Sequence, residues 1–283
     1  QAPLNIAKAI GDFVVSDCDI IESYNVVQGF LNMVLKKSVW FNQLKNIDNL
    51  GENHGNFPKN GTKLMVEYSS PNTNKPLHLG HLRNNFLGFS VAQILAAGGY
   101  DVIKTNLVND RGIHICKSML AYQKLGQGET PESSGLKGDH LVGNYYVAFD
   151  KAYKAEMEVL IAEGMDAEQA KSQAPIMQEA QAMLVAWEQG DPAVIQLWET
   201  MNAWVLGGFE KSYAQMGVRF DKIYRESNTY LLGKKLVEEG LQTGTFYQKA
   251  DQSVWINLEA EGLDEKLVLR KDGTSVYITQ DMG

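Results

Sequence analysis

Cysteine is scarce in this sequence, and its scarcity excludes two common ways of stabilising a fold. Only Cys18 and Cys116 are present among 283 residues, far apart and without a Cys-x-x-Cys spacing. Neither a disulfide framework nor a zinc site is therefore indicated, and we expect two buried free thiols.

Long apolar runs are also missing. No stretch of about eighteen consecutive apolar residues occurs, which argues against a membrane-spanning helix. The first residues, Gln1 to Leu4, lack the basic and apolar regions of a signal peptide. We therefore expect a cytoplasmic protein.

Positive charge is in deficit, because 26 Lys and Arg residues face 34 Asp and Glu residues and the net charge is −8. This balance excludes an all-over basic coat for nucleic acid, although it allows a local basic surface. With 44% hydrophobic and 21% charged residues, the chain can bury the core of one large or two modest domains. No internal repeat is visible, so the functional signal must lie in particular residues.

The apolar pattern divides the chain into four segments. Residues 1–60 are interpreted as a small α/β unit followed by a linker rich in Asn and Gly. Residues 61–116 contain a strand, an amphipathic helix and a second strand, the unit from which parallel nucleotide-binding sheets are built. Helical spacing of apolar residues predicts a mainly helical insertion over residues 117–217. Residues 218–283 return to strand patterns, the last of them at residues 276–279, so the predicted fold class is α/β.

The most informative part of the chain is residues 69–84, here called the signature segment, between the first strand and helix of the 61–116 unit. A helix start exposes unpaired N–H groups and the positive end of the helix dipole, which suits a triphosphate. His78 and His81, spaced i, i+3 at that start, can donate together to phosphoryl oxygens. Gly80 leaves room for a flat purine or ribose, and Lys75 brings a mobile positive charge.

Two neighbouring histidines alone are more often ordinary surface or core residues. The full Pro-x-His-x-Gly-His spacing from Pro76 to His81 is far more specific. Its chance occurrence in such a chain is on the order of one in several thousand. Its place between a strand and a helix strengthens the signal further.

The signature segment closely resembles the signature of class I aminoacyl-tRNA synthetases, and with the preceding Val66-Glu67-Tyr68 it resembles the arginyl-tRNA synthetase family. Further matching stretches follow along the chain, at Asn109 to Ile115, Gly138-Asp139, Gly143-x-Tyr145-Tyr146, Tyr224 to Ser227 and Tyr277 to Asp281. The resemblance covers residues 63–283. It implies a Rossmann-like class I synthetase nucleotide-binding fold with a long helical insertion, incomplete at the C-terminus. Residues 1–60 would be the end of the family's N-terminal tRNA-contacting domain.

The resemblance implies arginine–tRNA ligase activity, in which ATP activates arginine to arginyl-adenylate and arginine then passes to tRNA(Arg). By resemblance, His78 and His81 hold ATP phosphates, Gly80 lies under the adenosine, and Mg²⁺ accompanies ATP without dedicated protein ligands. Most class I enzymes carry a lysine in a second signature, Lys-Met-Ser-Lys, which is absent here. Lys75 matches the lysine that many arginyl enzymes use instead, and its alternative interpretation is a solvated loop lysine.

The guanidinium of arginine is a permanent planar cation, so its pocket needs carboxylates and an aromatic or hydroxyl surface. By resemblance, Glu67, Tyr277 and Asp281 lie on the arginine side and Asn72 lies near the substrate α-amino group. The alternative for Tyr277 and Asp281 is an ordinary i, i+4 pair on a helix surface. Asp110 could order the site or contact substrate, and an Asx-type turn at that position is an equal alternative.

Two other functions compete with this interpretation. A small nucleotidyltransferase or ATP-dependent ligase shares the His-x-Gly-His helix start but usually lacks a long helical insertion. A non-catalytic nucleotide- or RNA-binding module is the other alternative. Neither the second signature nor a helical anticodon-binding domain occurs in the sequence, so we expect a truncated synthetase that is inactive alone.

We predict that Asp281→Asn narrows the preference for arginine over citrulline. A buried guanidinium without a matching anion costs several kcal/mol, whereas uncharged citrulline gains little from the carboxylate. The ratio of kcat/KM for the two amino acids, measured with tRNA present in a full-length synthetase that contains this sequence, tests the role. An unchanged ratio would make Glu67 the leading guanidinium partner.

Overall fold

The computed structural model describes residues 2–271, 273 and 276–282. It contains two compact units, one of Gln1–Lys59 with Ala97–Gly99 and one of Asn60–Ala96 with Tyr100–Gly283. No helix in the described part of the chain is long and apolar enough to cross a membrane. Of the two predicted buried thiols, Cys116 is buried and Cys18 is only half-buried.

The first unit is a helix packed on a hairpin and followed by a second helix. Its elements are α1 (Pro3–Asp17), β1 (Ile21–Val27), β2 (Phe30–Leu35), α2 (Lys37–Leu50) and a 3-10 turn (Gly51–Asn53). β1 and β2 are antiparallel. The hairpin is joined to α1 by Tyr24, whose hydroxyl donates to Asp12 at 2.5 Å.

The second unit contains a parallel sheet of three strands, β3 (Lys63–Glu67), β4 (Asp101–Val108) and β5 (Lys222–Arg225). β4 is central and pairs in parallel with both neighbours. The helix α3 (Leu79–Ala97) connects β3 to β4, as a parallel pair requires, because parallel strands need a long crossover. The predicted parallel α/β fold is therefore confirmed.

The regular elements of the longer crossover between β4 and β5 are all helices. It contains α4 (Ile113–Leu125), α5 (Pro131–Ser134), α6 (Gly138–Ala162), α7 (Ala167–Gln173), α8 (Pro175–Glu188) and α9 (Pro192–Met216). Local sequence explains several starts: Asp191, for example, accepts from the backbone of Ala193 and Val194 at 3.0 Å before Pro192 begins α9. Their apolar faces form the main core, with Met119, Leu141, Phe149, Val205 and Phe209 almost fully buried.

The C-terminal part contains a second sheet and departs from one expectation. After α10 (Glu226–Thr243), the strands β6 (Tyr247–Gln248), β7 (Val254–Ile256) and β8 (Lys266–Leu269) form a separate antiparallel sheet and do not extend the parallel one. Their connections are too short for parallel crossovers. The run at residues 276–279, predicted as a strand, is the start of a helix, α11 (Tyr277–Met282). A short apolar run does not by itself distinguish the two structures, and here the Thr279 hydroxyl accepts from the Val276 backbone at 3.0 Å.

The adjacent glycines 207 and 208 in α9 offer a test of the helical packing. Asp139, which is fully buried and pairs with Lys137 at 3.1 Å, lies against Gly208. A methyl carbon on Gly208 would overlap its Oδ1 and lie 2.8 Å from its Cγ, whereas one on Gly207 meets nothing within 4 Å.

We expect Gly208→Ala to lower the free energy of unfolding by about 1–3 kcal/mol through overpacking. The matched control Gly207→Ala should raise it by about 0.5–1 kcal/mol, because alanine is the better helix former. Denaturant unfolding followed by circular dichroism measures both. Equal effects of the two substitutions would contradict the packing of α9 on Asp139.

Candidate active site

The signature segment and the start of α4 lie at the same edge of the parallel sheet. β3 and β4 pair from Lys63 with Asp101 to Glu67 with Thr105, and an isolated parallel bridge between Asn72 and Asn109 continues the alignment beyond them. Because both strands run in the same direction, the segments that follow them emerge side by side. The starts of α3 and α4 are therefore neighbours.

A turn of unusual backbone conformation leads from β3 into the signature segment. Ser69 and Ser70 have φ values of 73° and 44°, a left-handed region that costs non-glycine residues about 1–3 kcal/mol each. Side-chain carbonyls hold the turn: Asn84 accepts from the Ser69 backbone at 2.5 Å and Asn106 accepts from the Ser70 backbone at 3.0 Å. The turn is thus fixed from both α3 and β4.

A buried polar network connects this turn to α9. The hydroxyls of Ser69 and Tyr213 are hydrogen-bonded at 2.7 Å, and burial raises the pKa of Tyr213. The Asn85 amide donates to the Ser69 hydroxyl at 3.2 Å and to the His81 carbonyl at 2.8 Å. The side chains of Tyr213, Ser69 and Asn85 therefore connect the helical insertion to the first turn of α3.

The two histidines of the signature segment form one cluster. Their ring centroids are 3.9 Å apart. The His78 backbone N–H donates to Nδ1 of His81, and the Gly80 N–H donates to Nδ1 of His78, each at 3.1 Å. A neutral imidazole that accepts at Nδ1 carries its proton on Nε2. Both rings therefore direct an Nε2–H donor away from the backbone.

Lys75 and α6 complete the surroundings of these rings. Partial burial lowers the pKa of His81, and the charges of His78 and Lys75 lower it further. Lys75 also lowers the pKa of His114, after the larger effects of partial burial and of Lys117. α6 lies directly against this loop, since a methyl carbon on Gly143 would be 2.7 Å from Pro76 Cδ and 3.7 Å from Lys75 Cα.

Of the residues predicted on the arginine side, two lie near the turn and two lie on α11. Glu67 is exposed at the end of β3 and accepts from the Ser70 hydroxyl at 2.8 Å. Asn72 is half-buried at the bridge to Asn109. The backbone of Tyr277 and Asp281 is helical. The side chains of these last two residues lie outside the described part of the structure.

Asp110 is buried and anchors the helices around the sheet. Its carboxylate accepts from the Ser227 backbone at 2.8 Å and from the Ser227 hydroxyl at 2.7 Å, at the start of α10. Its carbonyl accepts from Trp198 of α9 at 2.6 Å. Burial raises the pKa of Asp110, and the Ser227 hydrogen bonds partly oppose that rise. These hydrogen bonds favour the interpretation that Asp110 orders the site.

The neighbouring Arg111 is also a packing residue. Its guanidinium lies 3.8 Å from the ring centre of Tyr230 and pairs with Glu188 at 2.7 Å. The Asn-Asp-Arg-Gly stretch thus joins β4 to α8, α9 and α10.

Comparison with known families decides the identity of this arrangement. A model described as tRNA synthetases class I (R), catalytic domain, matches residues 44–283. This chain belongs to that class I (R) synthetase family. The resemblance first indicated by the signature segment is confirmed.

Curated relatives and solved structures agree with the family. The arginine–tRNA ligase of Amoebophilus asiaticus is 60% identical, covering 100% of this chain and 47% of that protein. The ligase of Bacteroides thetaiotaomicron is 57% identical, with 100% and 48% covered. The chain thus spans about half the length of the curated relatives it matches. The Thermus thermophilus arginyl-tRNA synthetase structure aligns with a TM-score of 0.60 at 25% identity, covering 99% of this chain and 44% of that one.

Several residues that shape this synthetase site received no role from the sequence. They are the network residues Ser69, Asn85, Asn106 and Tyr213 and the pair His114 and Tyr146. Only Asn106 could have been noticed in the sequence, because a polar residue inside a buried strand needs a hydrogen-bond partner. The other contacts join residues distant in sequence and had no local signal.

We predict that Lys75→Gln raises the pKa of both His81 and His114. The positive charge of Lys75 disfavours protonation of each ring, so its removal makes protonation easier. NMR titration of the imidazole resonances measures the shifts. Lys235→Gln, an exposed lysine near Glu239, is the matched control and should change neither value. Unchanged pKa values in Lys75→Gln would place Lys75 away from the rings.

Proposed function

We propose that this chain supplies the ATP- and arginine-binding part of an arginine–tRNA ligase. The reaction joins arginine to AMP with release of pyrophosphate and then transfers arginine to tRNA(Arg). The observation that carries the proposal is that backbone N–H groups donate to Nδ1 of both His78 and His81 at the start of α3, which leaves Nε2–H as the donor of each neutral ring. Family membership and the names of the relatives support it.

The proposed chemistry explains why these donors are needed. A carboxylate oxygen of arginine attacks the α-phosphorus of ATP, and the bond from that phosphorus to the bridging oxygen of pyrophosphate breaks. Negative charge grows on phosphoryl oxygens during this step. Donors that are already oriented stabilise that charge without reorganising, and His78 and His81 are oriented by backbone N–H groups. Lys75 is proposed to neutralise the leaving pyrophosphate.

Mg²⁺ is proposed to enter as part of the nucleotide substrate. Within the described residues, no group of three or more His, Cys, Asp or Glu side chains is arranged to hold a metal ion. The surroundings of the signature segment are cationic and suit phosphate oxygens, which are themselves good ligands for Mg²⁺. The ion would supply additional charge neutralisation on the phosphates.

Arginine is proposed to bind between the end of β3 and α11. Glu67 is exposed, and the Ser70 hydroxyl orients its carboxylate. Asn72 lies at the sheet edge and is assigned to the α-amino group. Tyr277 and Asp281 are assigned to the guanidinium, and the helical backbone of α11 spaces them by four residues, so that they share one face.

The domain roles are proposals as well. Residues 61–116 and 218–283 are assigned to the nucleotide-binding domain, and residues 117–217 to an insertion that orders it through Tyr213 and Asp110. Residues 1–60 are assigned to the end of a tRNA-contacting domain. Gly80 is assigned to the space under the adenosine.

We expect His78→Ala or His81→Ala to lower kcat for adenylate formation roughly 100- to 1,000-fold, as loss of a donor to developing charge does in comparable sites. ATP–pyrophosphate exchange with arginine and tRNA present, in a full-length synthetase containing this sequence, measures the effect. His140→Ala, an exposed histidine on α6, is the control and should leave kcat unchanged. An unaltered kcat in both signature variants would remove the assigned role.

A further inference from the structure

We infer that His114 is a third imidazole donor to the phosphate chain of the nucleotide, and that Tyr146 is the positioning residue that fixes its tautomer. The inference rests on the proposed function, because it extends the same phosphate site. No role for either residue follows from the family match or from the names of the relatives.

The sheet places His114 at the phosphate edge. His114 is the second residue of α4, as His78 stands immediately before α3, and both helices begin after strands joined in parallel up to the bridge between Asn72 and Asn109. The two helix starts therefore face the same edge. His114 keeps an exposed edge there, open to a ligand.

α6 supplies an independent link between His114 and the signature segment. Its Gly143 lies in van der Waals contact with the loop at Lys75 and Pro76. One turn further along α6, the Tyr146 hydroxyl is hydrogen-bonded to Nδ1 of His114 at 3.1 Å. Since residues three apart on a helix share a face, the Tyr146–His114 pair stands beside Lys75.

The hydrogen bond sets the chemistry of the ring. When the Tyr146 hydroxyl donates to Nδ1, the neutral imidazole carries its proton on Nε2 and can donate it. The same arrangement exists in His78 and His81, whose Nδ1 atoms accept from backbone N–H groups. Three rings in this part of the site thus have occupied Nδ1 atoms, and the charge of Lys75 acts on two of them, His81 and His114. The lowered pKa of His114 agrees with a neutral ring.

Two lysines favour an oxyanion as the ligand of His114, and the one carboxylate among the described residues that acts on this cluster, Asp150, does so through Lys117 and Tyr146. Lys75 and Lys117 are close enough to His114 to act on it electrostatically. A polyphosphate fits such a cluster because each donor can meet a separate oxygen. The α-carboxylate of arginine has related chemistry, so the experiment must distinguish the two sources.

The test uses NMR of the imidazole nitrogens in the 283-residue chain, whose five histidines are His54, His78, His81, His114 and His140. Tripolyphosphate and L-arginine are added in separate titrations. We expect tripolyphosphate to shift His78, His81 and His114 with one dissociation constant and to leave His54 and His140 unchanged. The nitrogen shifts of free His114 should report the Nε2–H tautomer.

Variants separate binding from packing. His114→Leu should weaken tripolyphosphate binding about 10- to 100-fold, as loss of a hydrogen bond to a charged group does, and His114→Gln should restore most of the affinity through its amide donor. Tyr146→Phe should give His114 a mixture of tautomers and a weaker response. Tyr145→Phe is the control, because the Tyr145 hydroxyl donates to Glu129 and not to His114. This variant should change neither the tautomer of His114 nor its response to tripolyphosphate.

The outcomes distinguish the two proposals. A response of His78 and His81 without His114 overturns this inference and leaves the proposed function standing. A response of His114 to arginine alone overturns the assignment to phosphate. An unchanged tautomer in Tyr146→Phe overturns the role of Tyr146. No response from any imidazole overturns the inference and the phosphate site together.

Discussion

The parallel pairing of β3 with β4 is the constraint on which the site depends. It brings two loops that are separated by a helix in the chain to one edge of the sheet, and the bridge between Asn72 and Asn109 carries the alignment past the strands themselves. Parallel strands leave both helix starts, with their unpaired N–H groups, at that edge. A basic site can therefore form in a chain whose net charge is −8.

The left-handed backbone of Ser69 and Ser70 costs free energy, which interactions with other parts of the structure offset. Ser69 and Ser70 hold their conformation because Asn84 and Asn106 accept from both backbone N–H groups. Tyr213 then connects the turn to α9. Such buried networks are specific because each member left without a partner would cost free energy. The insertion is in this way a structural support of the site as well as a separate layer of helices.

Neutral imidazoles suit this site better than charged ones. Partial burial and neighbouring positive charge lower the pKa of His81 and His114, which favours neutral rings that add no charge to a cluster that already contains lysine. Backbone N–H groups fix the tautomers of His78 and His81. Positive charge beside these rings is thereby left to lysines, Lys75 and Lys117.

The sequence by itself determined the parallel α/β unit, the helical crossover and the signature segment, because these depend on local periodicity and on residues close together in the chain. It did not determine that the last strands form a separate antiparallel sheet, or that residues 277–282 are helical, since short apolar runs fit either structure. It likewise indicated no role for Ser69, Tyr213 or His114, although His114 lies in a stretch that resembles the synthetase family. The contacts of these residues were decided by the tertiary structure, because each is a hydrogen bond between residues that come together only when the sheet and helices pack.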